Sequence, residues 1–302
     1  MSSNWSAEYT VKKGDDVVLQ VYRRCKEKPS TSNPRPVLFL VHGSSFAALP
    51  GYDLQVPGKT GYSMMDRCAQ EGYDVWTVDH EGYGRSSRTD SNSDISSGAD
   101  DLEAVAALIE ERTGAKSAMY YGQSSGSLRA ALFAQRRPDR VSRVILDAFV
   151  WTGDGSRTLE KRREGLDSYL ASNRRAVTRK SLRASLLRDD PESLTVEAGV
   201  PDALADAALK DGDSVPSGTF VDMCSKLPLV DPAKIQCPVY IMRGEHDGIA
   251  TLEDIIAFYM ALPNSDKHFS MISNSAHIAP LGRNRDRFYQ MMFFFLNLEP
   301  AG

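Results

Sequence analysis

Ser124 stands in Gly122-Gln123-Ser124-Ser125-Gly126, between a short apolar run at 118–121 and a segment that sets Leu128, Ala131, Leu132 and Ala134 on one helical face. Gly-x-Ser-x-Gly at a strand-to-helix junction is the signature of a nucleophile elbow. The two glycines have a steric reason, because strand and helix pass so closely at such a turn that a Cβ at 122 or 126 would collide. The chemistry this motif points to is attack by the Ser124 hydroxyl on an acyl carbon. A serine hydroxyl is a weak nucleophile at neutral pH. It requires a base, an acid to orient that base, and donors for the developing oxyanion.

Three histidines follow the elbow. His246 sits beside an acid candidate, His268 begins a strand, and His277 lies in the polar loop Asn274-Ser275-Ala276-His277-Ile278 just past the last strand. That loop is where an imidazole must stand to meet Ser124 from the carboxyl end of a sheet, so His277 is the expected base. Asp247, in Arg243-Gly244-Glu245-His246-Asp247, is favoured as the acid. Asp147, which ends the strand after the elbow helix, competes for that role, and Glu245 shares the Asp247 loop. The backbone N–H groups of Ser44 and Ser125 are the expected oxyanion donors. His42 reads as a structural residue that fixes its loop by hydrogen bonds.

The elements that must position these groups alternate along the chain. Residues 9–12 and 17–22 flank Gly14-Asp15-Asp16 and suggest an antiparallel hairpin. The continuous apolar run 37–41 reads as a central parallel strand ending in His42-Gly43-Ser44-Ser45. Helix 62–70, strand 73–78, helix 99–113, the elbow, and strand 141–146 follow. The rhythm then fails. Residues 149–226 are helical in composition without a strand candidate, and their charge is divided: 157–188 hold ten Lys/Arg against three acids, and 189–213 hold eight acids against Lys210. Alternation resumes with strand 239–242, helix 252–262, strand 267–272 and helix 285–298. The expected organisation is a catalytic core of 1–148 and 227–302, with 149–226 inserted as a helical cap.

Strand-His42-Gly43, Asp79-x-x-Gly82-x-Gly84-x-Ser86, Gly122-x-Ser124-x-Gly126, Asp247 and His277, in that order over 35–298, resemble the α/β-hydrolase superfamily. The resemblance implies an α/β fold: a mostly parallel twisted sheet with helices on both faces and an inserted α-helical cap. It implies a Ser-His-Asp hydrolase, with a carboxylic ester as the expected substrate. Carbon–carbon bond hydrolases, lactonases and thioesterases use the same triad, and some binding proteins share the fold. The chain is similar to bacterial carboxylesterases of catabolic pathways, including those acting on monoalkyl phthalates. Phe46, Leu49, Tyr52, Leu54, Phe149, Val150, Trp151 and Ile278 are candidate walls of an apolar pocket. Arg162, Arg163, Arg174 and Arg175 are the basic cap residues that a substrate carboxylate would meet, if the basic half of the cap is more than a solvated face.

The 302 residues carry 36 Lys+Arg against 40 Asp+Glu, a net charge of −4 that offers nothing to nucleic acid or an anionic membrane. Cys25, Cys68, Cys224 and Cys237 are scattered without a CxxC pair and are expected to be reduced, mostly buried thiols. Neither metal nor organic cofactor is expected, because no ligand cluster or dinucleotide fingerprint is present and the chemistry needs only water as second substrate. No charged-then-apolar leader opens the chain, so a cytoplasmic monomer or small homo-oligomer is expected, with a small-molecule ester as its partner.

Overall fold

The computed structural model describes residues 4–30, 33–187 and 194–299. Strands β1 (Trp5–Lys13) and β2 (Val17–Cys25) form the expected hairpin and extend it at both ends. Then come β3 (Val37–Val41), α1 (Ala48–Tyr52), α2 (Met64–Gln70), β4 (Asp74–Val78), α3 (Ile95–Thr113), β5 (Ala118–Gln123), α4 (Ser125–Arg136) and β6 (Val141–Asp147). The next stretch holds α5 (Arg157–Arg163), α6 (Leu166–Leu170), β7 (Arg174–Ala176), α7 (Arg179–Leu187), α8 (Val200–Leu209), β8 (Ser214–Pro216) and α9 (Gly218–Ser225). The chain closes with β9 (Val239–Gly244), α10 (Leu252–Ala261), β10 (Lys267–Ile272) and α11 (Arg285–Leu296).

Eight strands form one sheet in the order β1-β2-β4-β3-β5-β6-β9-β10. The β1–β2 and β2–β4 pairs are antiparallel and all the others are parallel. Every residue of β3 is buried, which is why its sequence is apolar without alternation: helices cover both of its faces. Helices α3, α4 and α10 pack on one face, and α1, α2 and α11 on the other. Parallel strands bring their carboxyl ends to one edge, and the loops leaving β3, β5, β9 and β10 meet there.

Between β6 and β9 every strand lies outside the large sheet. Helices predominate there as expected, but β7 and β8 form a small antiparallel pair, Arg174↔Pro216 to Ala176↔Ser214, where no strand was expected. Three residues per strand carry too little alternation to be read. Helix α1 was likewise hidden in an expected loop, because Pro50 and Gly51 argue locally against a helix. Buried Leu186, Val196, Val200 and Leu204 pack with Leu54, Tyr62 and Leu281, seating α7 and α8 over the carboxyl edge of the sheet.

Two buried carboxylates tie this segment down at its ends. At its beginning Asp254, in α10, accepts the amides of Trp151 (2.8 Å), Thr152 (2.9 Å) and Gly153 (3.2 Å) and the Thr152 hydroxyl (2.6 Å). At its far end Asp222, in α9, accepts the amide of Ile95 at 2.8 Å, the first residue of α3. Hydrogen bonds to a buried charge contribute more than neutral ones, and removing the acceptor leaves several amides unsatisfied. Asp254→Ala is therefore expected to lower stability by about 2–4 kcal/mol. The neighbouring exposed Glu253→Ala should leave it nearly unchanged. Thermal unfolding followed by circular dichroism separates the two.

Candidate active site

Ser124 has φ 58° and ψ −124°, a left-handed backbone that a non-glycine residue adopts only when its surroundings impose it. Its amide donates to Asp147 O at 2.9 Å, and the Ser127 hydroxyl bridges Gly122 O and Asp147 O at 2.7 Å each. Both elbow glycines are sterically required, as expected. A Cβ on Gly122 would lie 2.6 Å from Ser127 Cα, and one on Gly126 would press on the carbonyls of Val41 and His42. The bend lifts the Ser124 side chain off the sheet.

His277 Nε2 lies 2.9 Å from Ser124 Oγ. Its Nδ1 lies 2.9 and 3.0 Å from the two oxygens of Asp247. Nδ1–H donates to the carboxylate, which leaves Nε2 free of a proton and able to accept from the serine hydroxyl. The loop carrying the ring is fastened to the elbow by Gln123 Nε2, which donates to His277 O at 3.1 Å. It is fastened to the Asp247 loop by the His246 amide on Ser275 O at 2.9 Å. Burial alone would raise the Asp247 carboxyl. His277 and the amides of Ile249 and Ala250 outweigh it and hold the group below its ordinary value. Arg243 locks that loop by donating to the carbonyls of Gly244, Glu245, Asp247 and Ala250 at 2.7–3.0 Å.

The competing acid is placed differently. Asp147 lies fully buried below the elbow and accepts the Tyr121 hydroxyl at 2.7 Å. Burial pushes its carboxyl up to about 7. Glu245 accepts the Asn274 amide at 2.8 Å, His246 is exposed, and His268 on edge strand β10 faces Asp266 at 3.1 Å.

The loop after β3 is braced from behind. The His80 amide donates to His42 Nε2 at 3.1 Å, so the His42 proton resides on Nδ1, 2.7 Å from Gly43 O. Burial holds this imidazole neutral by lowering its pKa well below the usual value. The Ser44 carbonyl accepts Tyr83 Oη at 3.2 Å and Arg175 Nη2 at 2.8 Å. Tyr83 belongs to the Asp79–Ser86 turn, where Asp79 accepts the amides of Ala48 (2.9 Å) and Arg85 (3.0 Å). Ser125 opens α4, so its amide belongs to the first turn, whose N–H groups have no partner within the helix.

Ser124, His277, Gly43, Ser44, Ser45, Phe46, Gln123 and Ile278 line a narrow hollow, together with Arg162, Ser185 and Ile249. It adjoins a narrow apolar hollow, to which Tyr52, Leu204, Pro280 and Leu281 contribute. Phe46, Tyr52 and Ile278 are therefore where they were expected. Phe149, Val150, Trp151, Leu49 and Leu54 are not. Phe149 is buried against Phe258 (4.5 Å), Trp151 packs on the same ring and donates to Val230 O at 3.0 Å, and Val150 joins that core. Asp254, by holding amides 151–153, turns this stretch toward α10 and away from the elbow. Leu49 packs toward α2 and α11, and Leu54 lies under α8. Among the basic residues, Arg163 donates to Cys224 O and Arg174 to Gly82 O and Ser214, whereas Arg162 lines the hollow that holds Ser124. Gln123, Arg243, Tyr83 and Leu204 were missed, since nothing in a linear pattern marks a residue that braces a loop from another element. A larger open hollow between Trp5, Arg35 and Arg112 lies at the β1–β2 side of the sheet and shares no residue with the hollow of Ser124. Among the described residues no His, Cys, Asp and Glu cluster could hold a metal ion, and no helix is long and apolar enough to cross a membrane. All four cysteines are buried and free.

The Hydrolase_4 family model, described as serine aminopeptidase, S33, matches residues 58–280. The chain belongs to that family. The matched span includes Ser124, Asp247 and His277. Solved structures share the α/β-hydrolase fold over nearly the whole chain. A 2-hydroxy-6-oxo-6-phenylhexa-2,4-dienoate hydrolase from Rhodococcus sp. strain RHA1 superposes with TM-score 0.71 at 16% identity, covering 98% of this chain and 100% of its own. A thermophilic esterase from Thermogutta terrifontis gives 0.67 at 17%, covering 96% and 98%. A carboxylesterase from Bacillus subtilis gives 0.67 at 16%, covering 97% and 92%. At these identities the likeness shows the fold. No curated protein sequence matches the chain. Family and fold together support a hydrolase.

The raised Asp147 carboxyl has a consequence for stability. It keeps its proton up to about pH 7 in the folded chain, but loses it near pH 4 when unfolded. Between these values the folded state binds more protons, so this group's contribution falls as pH rises. Asp147→Asn removes that contribution. Its stability relative to the unsubstituted protein should therefore rise between pH 5 and pH 8, by roughly 1–3 kcal/mol. Urea unfolding at the two pH values measures the difference, and an unchanged difference would show that the carboxyl is ionised throughout.

Proposed function

We propose that the protein is a serine hydrolase that cleaves a small to medium carboxylic ester through an acyl-enzyme on Ser124. The observation that carries this reading is the continuous line from Ser124 Oγ through the His277 ring to Asp247, with separations of 2.9 Å on either side of the ring. His277 Nε2 takes the hydroxyl proton as Ser124 attacks the carbonyl carbon. Asp247 holds the ring in the right tautomer and stabilises the imidazolium. The Ser125 and Ser44 amides receive the oxyanion, an arrangement supported by the position of Ser125 at the head of α4 and by the bracing of Ser44 through its carbonyl. The imidazolium then protonates the leaving alcohol. Water, deprotonated by the same ring, releases the acid. The apolar hollow of Phe46, Tyr52, Leu204 and Leu281 suits an alkyl or aryl half of the ester.

With 4-nitrophenyl butyrate as substrate, Ser124→Ala should lower kcat by about 10⁴–10⁶-fold, and Asp247→Asn by about 10²–10⁴-fold. A fluorophosphonate probe should label Ser124, and mass spectrometry of the labelled peptide reports it. Undiminished turnover by Ser124→Ala would overturn the reading. Absence of labelling would favour a non-catalytic ligand-binding protein, and a dienoate keto acid consumed far faster than any ester would favour a carbon–carbon bond hydrolase.

A further inference from the structure

Arg129 stands one turn after Ser125 on α4 and is fully buried. Burying a charge is costly, and a guanidinium is kept inside only where its donors find acceptors. Its Nη1 donates to His42 O and its Nη2 to Ser93 O, each at 3.2 Å. Neither acceptor is a carboxylate. Both are main-chain carbonyls of loops that the elbow helix would otherwise only touch. Room for the side chain is left by Gly98 of α3, where a Cβ would collide with Arg129 Nε. Ser93 offers its carbonyl from a left-handed backbone, φ 49°, which a non-glycine residue keeps only under constraint. The guanidinium carbon also lies 5.6 Å from the centroid of the Tyr83 ring, whose hydroxyl donates to Ser44 O.

These contacts converge on the loop after β3, where three successive carbonyls each meet a side-chain donor. His42 O accepts from Arg129, Gly43 O from the His42 ring at 2.7 Å, and Ser44 O from Tyr83 and Arg175. In a trans peptide the N–H points opposite to the C=O of the same unit. Gly43 O and the Ser44 amide share one unit, so the bond that draws Gly43 O to the imidazole turns the Ser44 N–H the other way. We infer that Arg129 is a positioning residue for the oxyanion donors. It straps α4, which carries the Ser125 amide, to the β3 loop, which carries the Ser44 amide, and so fixes the spacing between them. Packing brings the two elements together at Gly126, where a Cβ would press on Val41 O, and the guanidinium adds a directional bond. The inference rests on the acyl-enzyme reading, in which those two amides receive the oxyanion. Negative charge develops on the substrate oxygen only during attack, so a displaced donor weakens the transition state more than the ground state.

The probes are 4-nitrophenyl butyrate and an alkyl trifluoromethyl ketone. Ser124 Oγ adds to the ketone carbon, the hydroxyl proton passes to His277, and the ketone oxygen becomes the oxyanion. Arg129→Met keeps the bulk and removes both donors. It should lower kcat and kcat/KM together by about 10–100-fold, with KM within about threefold, and raise the Ki of the ketone by a similar factor. Arg129→Lys returns the charge without the fork and should fall between. The pH profile of kcat/KM should keep its shape, because His277 and Asp247 are untouched. Circular dichroism verifies that each variant is folded at the assay temperature. A folded Arg129→Met whose kcat and Ki are unaltered, whatever its melting temperature, overturns the inference. A loss carried by KM, or a shifted acid limb of the pH profile, overturns it as well. If Arg129→Met does not fold, an Arg129→Lys enzyme with unaltered kcat and Ki overturns it. Failure of the unsubstituted enzyme to turn over the ester, with no fluorophosphonate labelling of Ser124, overturns the underlying reading instead.

Discussion

The positive φ of Ser124 is a conformation the chain would not keep by itself. It persists because α4 runs so close to β5 that no side chain fits at Gly122, and so close to the end of β3 that none fits at Gly126, and because the carbonyl of Asp147 at the end of β6 accepts both the Ser124 amide and the Ser127 hydroxyl. Such a backbone costs on the order of 1–3 kcal/mol, and here a three-way joint of two strands and a helix sustains it. The result is a hydroxyl raised above the sheet at a fixed point. Every other group of the candidate site is arranged around that point by loops that leave the carboxyl ends of β3, β9 and β10.

Three buried aspartates follow strand ends at this edge, and their surroundings give them different states. Asp79, after β4, is pushed up to about 6 by burial despite two amides and the Tyr22 hydroxyl. Asp147, at the end of β6, is pushed up to about 7 by burial, with the Tyr121 hydroxyl donating to it. Asp247, after β9, is held below its ordinary value, because an imidazole and two amides face it together. Only a carboxylate that stays ionised can orient an imidazole and stabilise its charged form. Asp79 braces a turn, the Asp147 carboxyl holds the Tyr121 hydroxyl while its main-chain carbonyl anchors the elbow, and Asp247 faces the His277 ring.

The segment between β6 and β9 acts on this edge through separate arginines. Arg174 holds the Asp79–Ser86 turn through Gly82 O, Arg175 holds the loop after β3 through Ser44 O, and Arg162 reaches the nucleophile's hollow. Asp254 and Asp222 in turn hold the two ends of the segment. Within its basic half, Arg163, Arg174 and Arg175 hold backbone carbonyls, Arg162 and Arg175 stack on Phe220, and Arg179 and Arg183 pair with Asp202.

Much of this was legible in the chain. Gly122-x-Ser124-x-Gly126 and the continuous apolar strands are local patterns, and a local pattern reports local backbone directly; these residues determined the elbow, the parallel sheet and, by its place after the last strand, His277. Short elements escaped: β7 and β8 are too brief to show a period, and Pro50 and Gly51 disguised α1. The choice between Asp247 and Asp147 could not be made from residue type, since both end buried strands. Only the tertiary structure separates their surroundings, by facing the His277 ring toward Asp247 and the Tyr121 hydroxyl toward Asp147. It also sorted the apolar residues, turning Phe149 and Trp151 into the α10 core and bringing Tyr52 and Leu204 to the hollow. The physical reason is the same in each case: periodicity records which way a residue faces on its own element, whereas its neighbour across a hollow depends on how distant elements pack.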